Sequence, residues 1–248
     1  PDQLKRVLFI PDSHTPYHDK RAMRLITEQV VPAFKWDTLC VLGDFFDNYT
    51  ISRFSKNPAR LKGVKKELLV GFKLIEQFEA MPFHRRIFIE GNHEQRLHRF
   101  LQEKAPELYE IVLEWWHGHF RPPTWEYVPY MEDTTVGRAF VTHDVGRCGE
   151  HSTKQSLTDY QDNVVVGHNH LMDYSIRGNA KGTAHVGASF GWLGDVQQID
   201  YRHRMKCRRD WQLGFGVGSV RPSNQFIYIQ PVPIVAYSCV VEGRLFVG

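Results

Sequence analysis

The sequence lacks any apolar run of about 18 residues, the length that a membrane-spanning helix needs. Its N-terminal apolar stretch is short and leads directly into polar residues, which argues against a secretory signal peptide. Only four cysteines are present, and no two of them have the CxxC spacing of a metal or redox motif: Cys40, Cys148, Cys207 and Cys239. We therefore expect reduced thiols in a cytoplasmic protein, not a disulfide framework or a zinc knuckle.

The chain also has little excess of positive over negative charge. The 31 Lys and Arg residues against 28 Asp and Glu residues leave a net charge of only +3 over 248 residues. This net positive charge is too small for a dedicated nucleic-acid coat protein. Repeats, low-complexity segments and linkers rich in Gly, Ser or Pro are absent as well. We predict one domain over residues 1–248, with a basic insertion at about 200–211.

Secondary-structure patterns differ between the two halves of the chain. In the first half, short apolar runs predict strands at 7–10, 38–44 and 85–93, and helical periodicity predicts helices at 19–31, 60–80 and 94–116, the last with a break near Pro106. In the second half, short β-branched or aromatic segments predict strands at 125–130, 138–143, 163–167, 171–177, 182–187, 213–220, 225–230 and 234–241. This alternation favours an α/β fold whose sheets are covered by helices.

Histidines are plentiful, and several of the 13 follow directly after predicted strands. Five strands end in side chains of the types that bind metals: Asp12 and His14, Asp44 and Asp47, Asn92 to Glu94, His143, and His168 with His170. Taken alone, each of these sequences is typical of a turn or a helix cap. Because ligands in α/β sheets bind beyond the carboxyl ends of strands, all five together indicate one metal site.

The mixture of ligand types indicates which metals to expect. One Asp carboxylate can bridge two cations about 3.5–4 Å apart, while imidazoles and an amide oxygen complete each coordination shell. Shells rich in histidine and poor in carboxylate suit Mn, Fe, Zn, Ni or Co better than Mg or Ca. We therefore expect two divalent ions, with Mn as the first choice.

The order of these motifs resembles that of the calcineurin-like metallophosphoesterase superfamily. The family pattern D-x-H, G-D-x-x-D, G-N-H-E, a strand-end His and G-H-x-H is matched without a gap at Asp12/His14, Gly43–Asp47, Gly91–Glu94, His143 and Gly167–His170. The chain resembles compact phage and bacterial members. The resemblance implies a four-layer α/β/β/α sandwich of two mixed sheets flanked by helices.

The resemblance also implies a role for each motif residue. One metal ion would be held by Asp12, His14, Asp44 and His170, and the other by Asp44, Asn92, His143 and His168. His93 would assist the leaving oxygen, and Asp47 would orient His93 through a hydrogen bond. Glu94 would support this shell or cap the following helix. A hydroxide bridging the two metal ions would attack phosphorus in line with the departing alkoxide.

The implied activity is hydrolysis of a phosphoester, with a phosphodiesterase or nuclease acting on nucleic acid or nucleotides as the first hypothesis. The Arg that follows G-D-x-x-D in the protein phosphatases of the superfamily is replaced here by Asn48, which favours diesters. Arg53, Arg96 or Arg147 could substitute for it, and a phosphomonoesterase of small molecules or phosphopeptides is the alternative. A non-catalytic scaffold is disfavoured because no motif residue is missing.

Two further features bear on the substrate. The stretch 202–209 holds six basic residues, including Arg202, Arg204, Arg208 and Arg209, and is flanked by Tyr201 and Trp211. It fits either a nucleic-acid-binding patch or a solvated loop. Glu150 and His151 either line the site or begin a polar helix. We interpret Tyr49, Phe54 and four tryptophans, Trp115, Trp116, Trp125 and Trp192, as core residues rather than a base-stacking platform.

Overall fold

The computed structural model describes residues 3–120, 124–178, 180, 182–199 and 211–248. A six-stranded sheet is formed by β1 (Lys5–Ile10), β2 (Thr38–Val41), β3 (Arg85–Ile89), β4 (Glu126–Val128), β10 (Gly214–Val220) and β11 (Ile227–Pro233). Its strand order is β11-β10-β1-β2-β3-β4. The central strands coincide with apolar runs because both of their faces are covered.

A second sheet of five strands contains β5 (Asp133–Val136), β6 (Ala139–Thr142), β7 (Asn163–Val166), β8 (Met172–Gly178) and β9 (Ala184–Phe190). Its strand order is β5-β6-β7-β9-β8. The chain then ends in a small hairpin of β12 (Ser238–Val241) and β13 (Arg244–Val247), whose buried Phe246 joins the core below the first sheet.

The helices lie on the outer faces of the sheets. They are α1 (Lys20–Arg24), which continues through a π-helical stretch (Leu25–Val30) into α2 (Val31–Ala33), then α3 (Val64–Glu79), α4 (Gln95–Lys104), α5 (Tyr109–Gly118) and α6 (Ser152–Tyr160). Phe72 of α3 and Trp116 of α5 belong to the same buried cluster as Phe88 of the first sheet. Leu157 of α6 packs on Val164 of the second sheet. Among the described residues, no helix has the length and hydropathy needed to cross a membrane.

An apolar layer between the two sheets joins them face to face. Phe9 of β1 packs on Phe190 of β9 with ring centroids 5.2 Å apart, and Val141 and Val165 of the second sheet belong to the same buried cluster. Each fully buried side chain of this size contributes roughly 1.5–3 kcal/mol, so this layer holds the two sheets in one relative position. The predicted four-layer α/β/β/α sandwich is confirmed.

Strand direction brings the motif residues to one rim. The strands β1, β2, β3 and β4 are parallel neighbours, and so are β6, β7 and β9. Because parallel strands share the direction of their carboxyl ends, the loops that follow them emerge at the same edge of each sheet. All five predicted motifs lie in such loops.

Some predicted boundaries are wrong. The helix predicted at 60–80 begins only at Val64, because Pro58–Arg60 forms a 3-10 turn and Gly63 takes a left-handed φ of 81°. The sequence pattern does not predict the strands β5 and β13. Each buries a single residue, Val136 or Phe246, and therefore shows no apolar run. The helix α6 follows Glu150 and His151, which are both exposed, so the structure agrees with the polar helix start.

Candidate metal centre and adjoining cavity

The first group of candidate ligands surrounds a space between the loops after β1, β2 and β7. Asp12, His14, Asp44 and His170 each offer one ligand atom, and these four atoms lie within 4.8 Å of one another. The Nε2 atoms of His14 and His170 are 3.0 Å apart. These are the four residues that the family resemblance implies for one metal ion.

A second group shares Asp44 with the first. Ligand atoms of Asp44, His143 and His168 also lie within 4.8 Å of one another. The Oδ1 atom of Asn92 is 2.8 Å from His168 Nδ1 and 3.1 Å from His143 Nε2. The structure thus brings all seven predicted ligands into two adjoining groups, with one carboxylate common to both.

The arrangement around His143 tests whether a cation fits. Its Nδ1–H donates to the carbonyl of Leu42 at 2.7 Å, which leaves the lone pair of Nε2 facing Asp44 Oδ1 at 3.3 Å and Asn92 Oδ1. Burial alone would lower the pKa of His143, but the carboxylates of Asp44 and Asp12 raise it to about 10. Acceptors converge on this nitrogen and call for a positive charge between them, which a metal ion supplies as well as a proton does.

The imidazoles of His14 and His170 are held neutral. Burial, with the charge of nearby His93, lowers the pKa of His14 to about 3, and burial lowers the pKa of His170 well below its ordinary value. Burial opposes ionisation of Asp44, yet His93 and His143 hold the pKa of Asp44 well below its usual range. Neutral imidazoles and an ionised carboxylate are the protonation states in which these side chains bind metals.

Backbone conformation at the site is unusual. Four of the candidate ligands have φ in the left-handed region: His14 (51°), Asp44 (45°), His168 (66°) and His170 (57°). This region costs free energy for residues other than glycine and is concentrated at functional sites. The strain supports a functional role for these loops beyond chain reversal.

The motif glycine Gly91 allows two of the loops to meet. A Cβ at Gly91 would lie 2.2 Å from the amide nitrogen of Asp44 and 2.3 Å from its Oδ1. Any side chain there would push Asp44 out of both ligand groups. The G-N-H sequence therefore needs glycine for the close approach of backbone to carboxylate.

Glu94 links the same two loops without joining either ligand group. Its fully buried carboxylate accepts hydrogen bonds from the backbone N–H groups of Asp44 (3.0 Å), Phe46 (2.7 Å) and Gly91 (2.7 Å). Burial and the charge of Asp44 raise its pKa to about 8. Glu94 is expected either to support the ligands or to cap the following helix. The structure places its carboxylate behind Asp44, where it supports the loop that carries this ligand, and shows no side-chain cap on the helix.

His93 and Asp47 lie beside the first ligand group. Their contact is between His93 Nδ1 and Asp47 Oδ1, at 2.7 Å, in the geometry expected for a carboxylate that orients an imidazole. Arg96 donates to Asp47 Oδ1 at 3.0 Å and lies with its guanidinium 2.7 Å from His93 Nε2. Burial would raise the pKa of Asp47, but its hydrogen bond with His93 and the charges around it lower that pKa to about 2.

Sequence reasoning missed Arg60. Its guanidinium lies 3.5 Å from Asp47 Oδ2 and packs over the rings of Tyr17 and Tyr49, 4.2 and 4.3 Å from their centroids. Arg60 comes from the 3-10 turn before α3, outside every motif, so no spacing in the sequence points to it. Together with Arg96, it surrounds Asp47 with positive charge.

The remaining predicted substrate contacts fall in different places. Arg147 pairs with Asp159 at 3.0 Å on the surface, and Arg53 is exposed beside Phe54. Neither arginine belongs to the ligand groups or to the lining of the cavity beside them. The basic stretch 202–209, with Arg202, Arg204, Arg208 and Arg209, lies outside the described residues.

A cavity of about 690 Å³ adjoins the candidate metal centre. Its lining includes five motif residues, His14, Asp47, Asn92, His93 and His170. Five aromatic side chains also line it: Tyr17, Tyr49, Phe54, Trp192 and Trp211. The expectation that the aromatic residues are core holds for Trp116 and Trp125, which are buried, but not for exposed Trp115 and Phe54. Tyr49 and Trp192 are buried and at the same time line the cavity.

Comparison with known proteins identifies a family. The family model described as calcineurin-like phosphoesterase matches residues 5–172, which include every motif. No curated protein matches the sequence. Among solved structures, the chain is similar to the NAD nucleotidase of Haemophilus influenzae, with a TM-score of 0.41 and 13% sequence identity, over 94% of this chain and 50% of that one. The chain thus spans about half the length of that protein.

Proposed function

The chain belongs to the calcineurin-like phosphoesterase family, whose members hydrolyse phosphoesters, and we propose that it cleaves phosphodiesters of nucleic acids or nucleotides with two divalent metal ions. The observation that carries this proposal is the sharing of Asp44 between the two groups of candidate ligands. A shared carboxylate is what holds two cations close enough to act on one phosphate.

The donor set supports the choice of metal. Four imidazoles, two carboxylates and one amide oxygen favour Mn, with Fe, Zn, Ni or Co as alternatives. We assign Asp12, His14, Asp44 and His170 to one ion, and Asn92, His143 and His168, again with Asp44, to the other. When bound, the two ions would activate a water molecule as the nucleophile and neutralise charge on the phosphate.

We propose that His93 acts on the leaving oxygen and that Asp47 positions it. The 2.7 Å contact with Asp47 places the His93 proton on Nδ1 when Nε2 accepts from Arg96. For His93 to donate a proton from Nε2, Arg96 has to release that atom and Nε2 has to take up a proton from solvent before the ester bond breaks. An incoming phosphate is an anion to which Arg96 can turn. Arg96 is thereby assigned to substrate binding.

Two observations bear on the number of ester bonds in the substrate. The absence of the motif arginine favours a diester, which carries one negative charge fewer than a monoester. Arg60 and Arg96 beside Asp47 instead favour a phosphomonoesterase as the second candidate, because two guanidinium groups can bind the dianion of a monoester. A scaffold without catalysis is disfavoured because all seven candidate ligands converge.

A panel of substrates tests these alternatives. The protein is incubated with Mn and with bis-p-nitrophenyl phosphate, p-nitrophenyl phosphate, cyclic nucleotides or single-stranded DNA. A phosphodiesterase turns over the diesters faster, a phosphomonoesterase turns over p-nitrophenyl phosphate faster, and a scaffold leaves all four unchanged.

Cleavage of nucleic acid is tested through the basic stretch. If residues 202–209 bind a phosphate backbone, replacing Arg202, Arg204, Arg208 and Arg209 with Ala weakens cleavage of single-stranded DNA and leaves bis-p-nitrophenyl phosphate hydrolysis unchanged. Binding of DNA by the wild type should also fall steeply with salt, since each phosphate contact releases counterions. Equal DNA cleavage by both proteins at physiological salt would remove the argument for nucleic acid.

A single domain over residues 1–248 and a cytoplasmic location are further proposals. They rest on the lack of a linker and on separated cysteines without metal or redox spacing.

A further inference from the structure

The cavity beside the candidate metal centre is much larger than a phosphate group. Its volume of about 690 Å³ lies within the range of roughly 300–1,000 Å³ that is usual for pockets enclosing a small organic ligand. Because His14 and His93 form part of its lining, a phosphate bound at the metal centre would extend its ester group into this space. The lining therefore selects the organic part of the substrate.

The lining is rich in aromatic rings. Phe54 has 63% of its surface exposed, although phenylalanine is usually buried, and it is part of the cavity lining. Trp192 stacks on His170 with ring centroids 5.1 Å apart, and Trp211 packs edge-to-face on the same imidazole at 4.2 Å. The aromatic lining thus begins directly at a candidate metal ligand.

The tyrosines of the lining are held in place by the segment that carries Arg60. The hydroxyl of Tyr17 donates to the carbonyl of Arg60 at 2.9 Å, and the hydroxyl of Tyr49 accepts from the backbone N–H of Asn57 at 2.6 Å. The guanidinium of Arg60 covers both rings. A lining fixed before the ligand arrives lowers the entropy lost on binding.

We propose that this cavity binds a planar aromatic ring in the ester group of the substrate, as found in a nucleoside or an aryl alcohol. Aromatic side chains bind planar rings by stacking, and the exposed ring of Phe54 offers a surface for such stacking in this cavity. Arg60 and Arg96 meet the negative charge of the attached phosphate. The inference rests on the proposed phosphoesterase function, and it specifies the substrate as a small ring-bearing phosphoester.

Binding of phosphonates tests the inference without hydrolysis, since their carbon–phosphorus bond is not a substrate for ester cleavage. Calorimetry on the Mn-loaded full chain compares methylphosphonate, phenylphosphonate and a nucleoside 5′-phosphonate. Both ring-bearing compounds should bind about 10-fold tighter than methylphosphonate, the effect expected for one stacked ring. Whichever of these two compounds binds more tightly indicates whether the ring of the natural substrate belongs to an aryl group or to a nucleoside.

A variant and a matched control locate the effect. Phe54→Ala removes an exposed ring from the cavity and should lower the preference for phenylphosphonate over methylphosphonate by roughly 3–10-fold. Tyr174→Ala removes an exposed ring from β8, outside the cavity lining, and should leave that preference unchanged.

Two outcomes overturn the inference: equal affinity for all three phosphonates, or no binding of any of them. An equal effect of Phe54→Ala and Tyr174→Ala would also overturn it. If ring-bearing phosphonates bind tightly while no ester in the substrate panel is hydrolysed, the proposed function fails and the ring-binding cavity stands.

Discussion

The two sheets contribute different chemistry to the candidate metal centre. Loops that follow strands of the first sheet carry both carboxylates, the amide and one imidazole: Asp12, Asp44, Asn92 and His14. Loops that follow strands of the second sheet carry imidazoles alone: His143, His168 and His170. The first sheet supplies the negative charge that attracts the cations, and the second supplies imidazole donors, which favour transition metals over Mg or Ca.

Burial of the ligands also differs between the sheets, except at His143, which is fully buried. Asp12 and Asp44 are buried at 0% and 2% exposure, whereas the side chains of His168 and His170 are 28% and 12% exposed. Asp12 also accepts a hydrogen bond from the backbone N–H of His168 at 3.1 Å, so a first-sheet carboxylate anchors the second-sheet loop. Loss of a carboxylate should therefore cost far more than loss of an exposed imidazole.

Asp44→Asn should have the largest effect, because it removes the one charge that both ligand groups share. We expect loss of both metal ions and a fall in turnover on the order of 10⁴-fold, which corresponds to several kcal/mol of transition-state stabilisation. Metal content by mass spectrometry and turnover of bis-p-nitrophenyl phosphate measure the two effects. Exposed Asp159→Asn is the control, and retention of two ions in Asp44→Asn would show that this carboxylate does not bridge.

His93→Ala separates catalysis from metal binding within the first-sheet loops. The variant should retain both ions while turnover falls by roughly 10²–10⁴-fold, the usual contribution of a general acid. The loss should shrink for p-nitrophenyl esters, whose leaving group needs no proton. The metal content of the variant decides between general acid and metal ligand, because loss of an ion would show that His93 is a ligand.

His168→Ala tests the smaller contribution of the second sheet. Since it removes a partly exposed direct ligand, metal affinity at one position should fall by more than the roughly 10–100-fold that loss of an outer-shell partner costs, while the other ion stays bound. Titration of the metal-free protein with Mn, followed by calorimetry, resolves the two affinities. Loss of both ions, as expected for Asp44→Asn, would contradict the difference between the sheets.

The smallest effect concerns stability and Asp47. Its pKa is lowered from 3.8 to about 2 in the folded protein, so its ionised form stabilises the fold above pH 3.8 and this contribution is lost as the pH falls towards 2. Asp47→Asn should therefore lower the free energy of unfolding of the metal-free protein by about 2 kcal/mol at pH 7. Urea unfolding measures the free energy of unfolding of both proteins, and their difference should be smaller at about pH 3 than at pH 7. A difference that does not change with pH would indicate lost packing instead.

The strands and their ligands could be predicted because the signals are local. Three consecutive apolar residues with both faces buried form the greater part of a strand such as β2 or β7, and the residue types that follow the strand are read directly from the sequence. Strands that bury one residue in four, such as β5, carry no such signal. The predicted start of α3 is too early because Leu61 fits the apolar periodicity of the helix, although it directly follows the 3-10 turn and lies before Val64, where the helix begins.

The sequence by itself determined the family, the layered fold and the set of residues at the rim, because motif order and strand-end position are properties of the chain as read in one direction. Only the tertiary structure decided that Arg60 reaches Asp47, that Glu94 accepts from two separate loops and that aromatic side chains from residues 17 to 211 line one cavity. These contacts join irregular segments far apart in the chain. Their geometry depends on how the two sheets pack, and no local spacing of residues encodes it.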